Sequence, residues 1–264
     1  MKIGFIGCGN MAKAMISGIL KNQLTTKENI IASAKSQESR ERTEKQLGIC
    51  MTEDNLEVAK QSEILFLAVK PQFYEEVILQ IKDTVRDEQI IVSIAPGKTL
   101  VWLAEKFGKD VKLVRCMPNT PALVGEGMTA ATPNAFVGED ELSQVIAVLN
   151  SFGQTEVVSE HLMDAVVSVS GSSPAYVYMM IEAMADGAVA DGMPRNMAYK
   201  FAAQAVMGSA KMVLESGKHP GELKDMVCSP GGTTIEAVRT LEKEGFRSSI
   251  MEAMKSCTAK AKGM

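Results

Sequence analysis

Residues 3–23 join three features in an order that leaves few folds open. A short apolar run, Ile3-Gly4-Phe5-Ile6, leads into the turn Gly7-Cys8-Gly9-Asn10-Met11-Ala12, and helical periodicity follows from residue 10 to about 23. The turn reads G-x-G-x-x-A. Its first glycine permits a tight reversal, its second lets a ligand approach the backbone, and Ala12 lets helix and strand pack closely. The helix that opens there turns its free N–H groups and the positive end of its dipole toward an anion. In this context the motif predicts a strand–turn–helix unit that binds the pyrophosphate of a dinucleotide through Gly7, Cys8, Gly9, Asn10, Met11 and Ala12.

The chain beyond it repeats the same alternation. Strand candidates are Lys2–Ile6, Ile30–Ala34, Ile64–Val69, Ile90–Ile94, Lys112–Cys116, Thr129–Thr132 and Gln154–Val158. Several are nearly continuous apolar runs, such as Ile64-Leu65-Phe66-Leu67-Ala68-Val69, a pattern suited to strands covered on both faces. Helical patterns fall around 10–23, 38–47, 55–61, 73–85, 99–107 and 139–151. Residues 1–158 are therefore expected to form a Rossmann-type, doubly wound α/β domain.

From residue 159 to 264 no convincing strand appears, and most of the chain's 18 methionines lie in this half. Helices are expected at 161–169, 174–191, 195–216, 221–227, 231–244 and 247–261, with Pro174, Pro194 and Pro230 near helix starts. The segment 174–191 is apolar on almost every face apart from Glu182 and Asp186, so it needs cover all round. An all-α domain this small does not easily surround it alone. A second copy of the chain is the expected cover, with the first domain of the same chain as the alternative, and methionine suits irregular packing of that kind.

Composition narrows the partners. Hydrophobic residues are 46% and charged residues 23%, which excludes a disordered or fibrous chain. Net charge is −4 and no basic block stands out, so no nucleic-acid partner is expected. The five cysteines are Cys8, Cys50, Cys116, Cys228 and Cys257, widely spaced and without a C-x-x-C pair. They read as reduced thiols of a cytoplasmic protein, with no metal site. Gly7, Gly9 and Asn10 interrupt the first apolar run, so it does not read as a signal peptide, and no stretch is apolar enough to imply a membrane partner.

The ends of the strand candidates supply further contacts, because ligands of open α/β sheets bind beyond the C-terminal strand ends. The second candidate runs Ala32-Ser33-Ala34-Lys35-Ser36, with Arg40 shortly after and no acidic residue before Glu38. An NAD site usually carries an acid there for the ribose hydroxyls. Ser33, Lys35 and Arg40 suit a 2′-phosphate instead, so NADPH is the expected cofactor, with NADH also accepted. The next two candidates end in Ala68-Val69-Lys70-Pro71 and Ser93-Ile94-Ala95-Pro96-Gly97. Asn55 is a further candidate on the adenine side.

A second anion site is expected in the C-terminal half. Cys228-Ser229-Pro230-Gly231-Gly232-Thr233-Thr234 breaks the chain before an amphipathic helix and sets two hydroxyls at its first turn. Such a turn can hold a substrate carboxylate or simply cap a helix. Few His, Lys or Tyr side chains are placed to act as the proton donor that carbonyl reduction needs. Reduction of a C=N bond asks for less, since a hydroxyl at the nitrogen suffices.

At these residues the chain resembles the pyrroline-5-carboxylate reductases over essentially its whole length. The likeness rests on Phe5–Ala12, Phe66–Pro71, Arg115-Cys116-Met117-Pro118-Asn119-Thr120-Pro121, Ser170–Tyr176, and His219-Pro220-Gly221 through Leu223-Lys224-Asp225 to Ser229–Thr234. The resemblance implies hydride transfer from NAD(P)H to the C=N carbon of L-1-pyrroline-5-carboxylate, giving L-proline in the last step of proline biosynthesis. It implies that Thr234 is the catalytic hydrogen-bond partner of the ring nitrogen, that Ser229, Gly231, Gly232 and Thr233 cradle the carboxylate, and that Glu160 lies near the substrate. It implies cofactor contacts at Asn55, Ala68, Val69, Lys70, Pro71, Ala95 and Pro96. It also implies a homodimer through the helical domain, with a decamer of five dimers as the larger assembly. Two positions depart from the family pattern: Ser173, where many members have glycine, and Met226, where some have asparagine.

Two other enzyme classes share parts of this pattern. β-Hydroxyacid dehydrogenases carry a catalytic lysine on the first helix of their second domain, and Pro174–Asp191 contains none. A reductase of another cyclic imine, such as pyrroline-2-carboxylate, would use the same loop.

Overall fold

The computed structural model describes residues 1–263. Eight strands form one sheet: β1 (Ile3–Ile6), β2 (Ile30–Ser33), β3 (Cys50–Thr52), β4 (Ile64–Leu67), β5 (Ile90–Ser93), β6 (Lys112–Met117), β7 (Gly127–Pro133) and β8 (Gly153–Val157). Their order is β3-β2-β1-β4-β5-β6-β7-β8. Every neighbouring pair is parallel except β6 with β7. The strand order reverses beside β1, where the chain turns outward to β2 and later returns to β4. A crevice beyond the C-terminal strand ends is the ligand site of such a sheet.

Six helices pair with these strands: α1 (Asn10–Lys21), α2 (Gln37–Leu47), α3 (Asn55–Gln61), α4 (Tyr74–Ile81), α5 (Leu100–Phe107) and α6 (Glu139–Asn150). The apolar runs are continuous because alternate residues serve opposite faces. Along β4, Ile64 and Phe66 join Met15, Ile16, Ile19, Val145 and Leu149 on one side. Leu65 and Leu67 join Val58, Val77, Ile78, Ile81 and Leu103 on the other. Phe5 and Phe66 stack at 4.7 Å between ring centroids, at the middle of the first layer. Each large apolar side chain buried this way contributes about 1.5–3 kcal/mol.

The helical half contains α7 (Met163–Val166), α8 (Ser173–Ala190), α9 (Arg195–Ser216), α10 (Pro220–Val227), α11 (Thr233–Lys243) and α12 (Phe246–Lys262). A π-helical turn at Val167–Gly171 joins α7 to α8. By compactness the chain divides into Met1–Ser172 with the chain end from Cys257, and Ser173–Ser256. This differs from the change of sequence pattern at 158/159, and side-chain contacts explain the difference. Met163 packs with Met117 and Ala130. Asn119 Nδ2 donates to the Ser170 carbonyl at 3.0 Å, and Thr258 Oγ1 donates to Ser168 Oγ at 3.0 Å. On α8 only Ala185 is buried within the chain, while Tyr178 and Met179 are 60% and 68% exposed. The chain by itself therefore leaves the expected apolar helix largely uncovered.

Candidate active site

The turn after β1 has the geometry its sequence requires. Gly7 sits at φ +90°, where a Cβ would stand 2.8 Å from Val69 Cγ1 and 2.9 Å from the Ala68 backbone. A side chain there meets both strain and collision. Gly9 is the N-cap of α1 and offers no side-chain cap. A Cβ on Gly9 would meet nothing within 4 Å, so the space before the helix is open. Ala12 is buried against the sheet and Cys8 is buried beside it, its thiol pushed up by desolvation. Asn10 is exposed and Met11 half-buried at the mouth of the turn. A diphosphate fits this cradle: open space, first-turn amides without a side-chain cap, and a helix dipole.

Three of the expected cofactor residues are joined by hydrogen bonds. Ser33 Oγ accepts from the Gly7 N–H at 3.3 Å and donates to Asn55 Oδ1 at 2.6 Å. Asn55 Nδ2 in turn donates to Gln80 Oε1 at 2.8 Å. The network links β2, the glycine turn and α3, and it fixes which face of the Asn55 amide points where. Gln80 was not foreseen; an exposed glutamine on a helix gives no sequence signal of such a role.

The two expected cations differ. Lys35 is exposed, 3.3 Å from Glu76 Oε1, with its ammonium 5.2 Å from the Phe73 ring centre. Arg40 is committed elsewhere. Its Nη1 donates to the Ala34 and Lys35 carbonyls at 2.8 and 3.0 Å, and its Nη2 pairs with Glu53 at 3.1 Å. Arg40 shapes the turn that presents Lys35. Ala68, Val69, Lys70 and Pro71 leave the C-terminal end of β4, and Ala95 and Pro96 leave that of β5. Lys70 is exposed, and Ala95 is buried.

Glu160 lies on a short turn, Glu160–Leu162, in the same compact unit. Its Oε1 accepts from Arg115 Nη1 at 2.9 Å and from the Leu100 N–H at 2.7 Å. The Arg115 side chain is only 6% exposed. The carboxylate thus neutralises a buried guanidinium and closes the first turn of α5. A cavity of about 400 Å³ opens beside it, lined by Gly97, Thr99, Arg115, Glu160, His161 and Asp164 among others.

The C-terminal loop is organised by its glycines. Gly231 stands at φ +67°. The Gly232 N–H donates to the Ser229 carbonyl at 3.0 Å. A Cβ on Gly232 would stand 2.4 Å from Ser229 Oγ. The chain then enters α11, whose N-cap is Gly232, again without a side-chain cap. Thr233 and Thr234 occupy the first turn, exposed and half-buried respectively, and neither hydroxyl has a hydrogen-bond partner among the described residues. They are therefore not the caps of this helix. The start of α6 shows the contrast. Its N-cap is also a glycine, Gly138, but Glu141 reaches back to the Gly138 N–H at 2.9 Å and closes the end. His219 caps α10 through Nδ1, which accepts from the Gly221 N–H at 3.0 Å.

Comparison with known proteins identifies this arrangement. Residues 160–264 match the family model described as pyrroline-5-carboxylate reductase dimerisation. Residues 2–97 match that described as NADP oxidoreductase, coenzyme F420-dependent. The pyrroline-5-carboxylate reductase of Escherichia coli strain K12 is 53% identical over 260 residues, covering 98% of this chain and 97% of that protein. The Plasmodium falciparum pyrroline carboxylate reductase, solved with NADP bound, superposes with a TM-score of 0.90 at 33% identity, covering 100% of this chain and 97% of the other. The Streptococcus pyogenes 1-pyrroline-5-carboxylate reductase gives 0.90 at 36% identity, covering 100% and 99%. A dimerisation module on the helical half accounts for the uncovered faces of α8: the protein assembles with copies of itself. The chain belongs to the pyrroline-5-carboxylate reductases, NAD(P)H-dependent oxidoreductases that act on a C=N bond.

Proposed function

We propose that this enzyme reduces L-1-pyrroline-5-carboxylate to L-proline with the residues that open α1 and α11. The observation that carries the reading is the pair of uncapped helix starts, each built on a glycine that turns its amides outward. One suits a pyrophosphate and the other a carboxylate.

Bound NADPH supplies the hydride for the C=N carbon. Gly7 to Ala12 hold the diphosphate through backbone amides. Ser33 and Asn55, already oriented by each other, face the adenosine half, and Lys35 offers its ammonium to the 2′-phosphate. Ala68, Val69, Lys70, Pro71, Ala95 and Pro96 border the nicotinamide half. Ser229, Gly231, Gly232 and Thr233 hold the substrate carboxylate. The free Thr234 hydroxyl donates to the ring nitrogen, where electron density rises as the carbon receives hydride; the proton that completes the amine enters there. Glu160 serves the substrate side through Oε2, since Oε1 is spent on Arg115 and Leu100. The working unit is a homodimer formed through the helical domain, with five dimers in the larger assembly, and the enzyme acts in the cytoplasm with its thiols reduced. The uncovered apolar faces of α8 support the homodimer.

Thr234→Ala tests the role of the hydroxyl. Removing one donor to a reacting atom lowers turnover by about 10- to 1,000-fold. NADPH affinity, measured by fluorescence titration, is expected to stay unchanged. Unchanged turnover would remove Thr234 from the reaction.

A further inference from the structure

Tyr74, the first residue of α4, is fully buried, yet its hydroxyl makes contacts that packing alone does not need. It donates to the Leu67 carbonyl. It also accepts from the Ile94 N–H at 3.2 Å and from Ser93 Oγ at 3.4 Å. Leu67 and Ser93 are the last paired residues of β4 and β5. Beyond them the two strands part, and one phenol oxygen bridges the carbonyl of one strand end to the amide of the other. The same bond closes a loop. The chain leaves β4 at Leu67, runs out through Ala68, Val69, Lys70 and Pro71, and returns at Tyr74 to the carbonyl it left.

We propose that Tyr74 is a positioning residue for the cofactor, its hydroxyl fixing the Ala68–Phe73 loop against Ile94–Pro96 and so setting the width of the crevice between them. The proposal rests on the reading of these two loops as the borders of the nicotinamide half. A phenylalanine would fill the same apolar space beside Val77, Leu67 and Ala95 without tying the loops together. Desolvation pushes the Tyr74 phenol up to about 12, so the group stays a neutral donor throughout the working pH range.

The test is Tyr74→Phe in the full-length protein, with NADPH affinity, turnover, imine KM and melting temperature measured together. One net hydrogen bond corresponds to about fivefold to tenfold in an equilibrium constant. NADPH Kd is expected to rise by about that factor while the KM for the imine stays within about twofold, a split that a general loss of stability does not produce. A lower melting temperature with unchanged NADPH Kd and turnover would overturn the proposal and leave Tyr74 a core residue. Amide hydrogen exchange of the wild-type protein with and without NADPH separates the two readings. Protection of residues 68–73 and 94–97 supports the loop assignment, and if Tyr74→Phe then changes nothing, only the positioning role falls. Absence of that protection removes the loop assignment and the proposal with it. If Tyr74→Phe does not fold, Tyr74→Met also removes the hydroxyl while its flexible side chain fills the apolar space. The same rise in NADPH Kd is then expected, and unchanged binding overturns the proposal.

Discussion

Replacing Glu160 by glutamine tests its structural duty, the neutralisation of the buried Arg115. In the folded protein its carboxylate sits 2.9 Å from a guanidinium whose side chain is 6% exposed. Breaking a buried pair by removing one partner costs about 3–5 kcal/mol, because a charge is left unpaired. Two features lower that figure here. Glu160 is itself 28% exposed, so water reaches the site. The glutamine oxygen can also still accept from the Leu100 N–H, which the carboxylate does at 2.7 Å. A cost of about 2 kcal/mol remains, which for a unit of this size is a drop of about 4–8 °C in melting temperature. The assay is a thermal double-mutant cycle of Glu160→Gln, Arg115→Met and the pair. Removing Arg115 as well takes away the stranded charge, so the double variant is expected to be about 1 kcal/mol or more better than the sum of the singles. Additivity within about 0.5 kcal/mol, or Glu160→Gln without a loss of melting temperature, would refute this reasoning.

Further predictions concern the cofactor side. Gly7→Ala forces a Cβ into Val69 and the Ala68 backbone at positive φ, and is expected to abolish NADPH binding and lower stability by about 1–3 kcal/mol; calorimetric titration of the purified variant checks the first and denaturant unfolding the second. Lys35→Glu is expected to shift the NADPH/NADH ratio of kcat/KM toward NADH by about tenfold or more; an unchanged ratio would place the 2′-phosphate elsewhere. Glu76→Gln frees Lys35 from its surface ion pair and is expected to tighten NADPH by at most a few-fold, since exposed pairs contribute only about 0–1 kcal/mol.

Much of the fold was legible because its strands are buried on both faces. Ile64–Val69 and Ile90–Ile94 announce themselves as apolar runs, and central parallel strands formed within them at Ile64–Leu67 and Ile90–Ser93. Cys50–Thr52 did not, since an edge strand of three residues that are exposed or half-buried carries no such signal. Nor does a sequence show strand direction, so the reversal at β7, antiparallel to β6 and parallel to β8, came only from the structure. In the C-terminal half, helix positions followed from periodicity and proline. The start of α11 lies at Thr233 rather than 231, because Gly231 is left-handed and Gly232 is the cap.

For the candidate site, residue types were legible and their connections were not. Ser33, Asn55 and Lys35 stood out by position after a strand or before a helix. The bonds from Ser33 to Gly7 and from Asn55 to Gln80 join distant segments and leave no local pattern. Arg40 was grouped with Lys35 on charge alone, and three local bonds give it a different task. His219 entered only as part of the motif His219-Pro220-Gly221, and the sequence did not show that its ring nitrogen caps a helix. Tyr74 read as an ordinary helix residue, because nothing in the sequence shows that its hydroxyl reaches two strand ends.

The central claim is tested most directly by following NADPH absorbance at 340 nm with the purified protein and L-1-pyrroline-5-carboxylate, in parallel with pyrroline-2-carboxylate. Rapid oxidation with the first imine alone, and stoichiometric L-proline as product, is the predicted result. Tight NADPH binding without oxidation, or oxidation only with pyrroline-2-carboxylate, would contradict it.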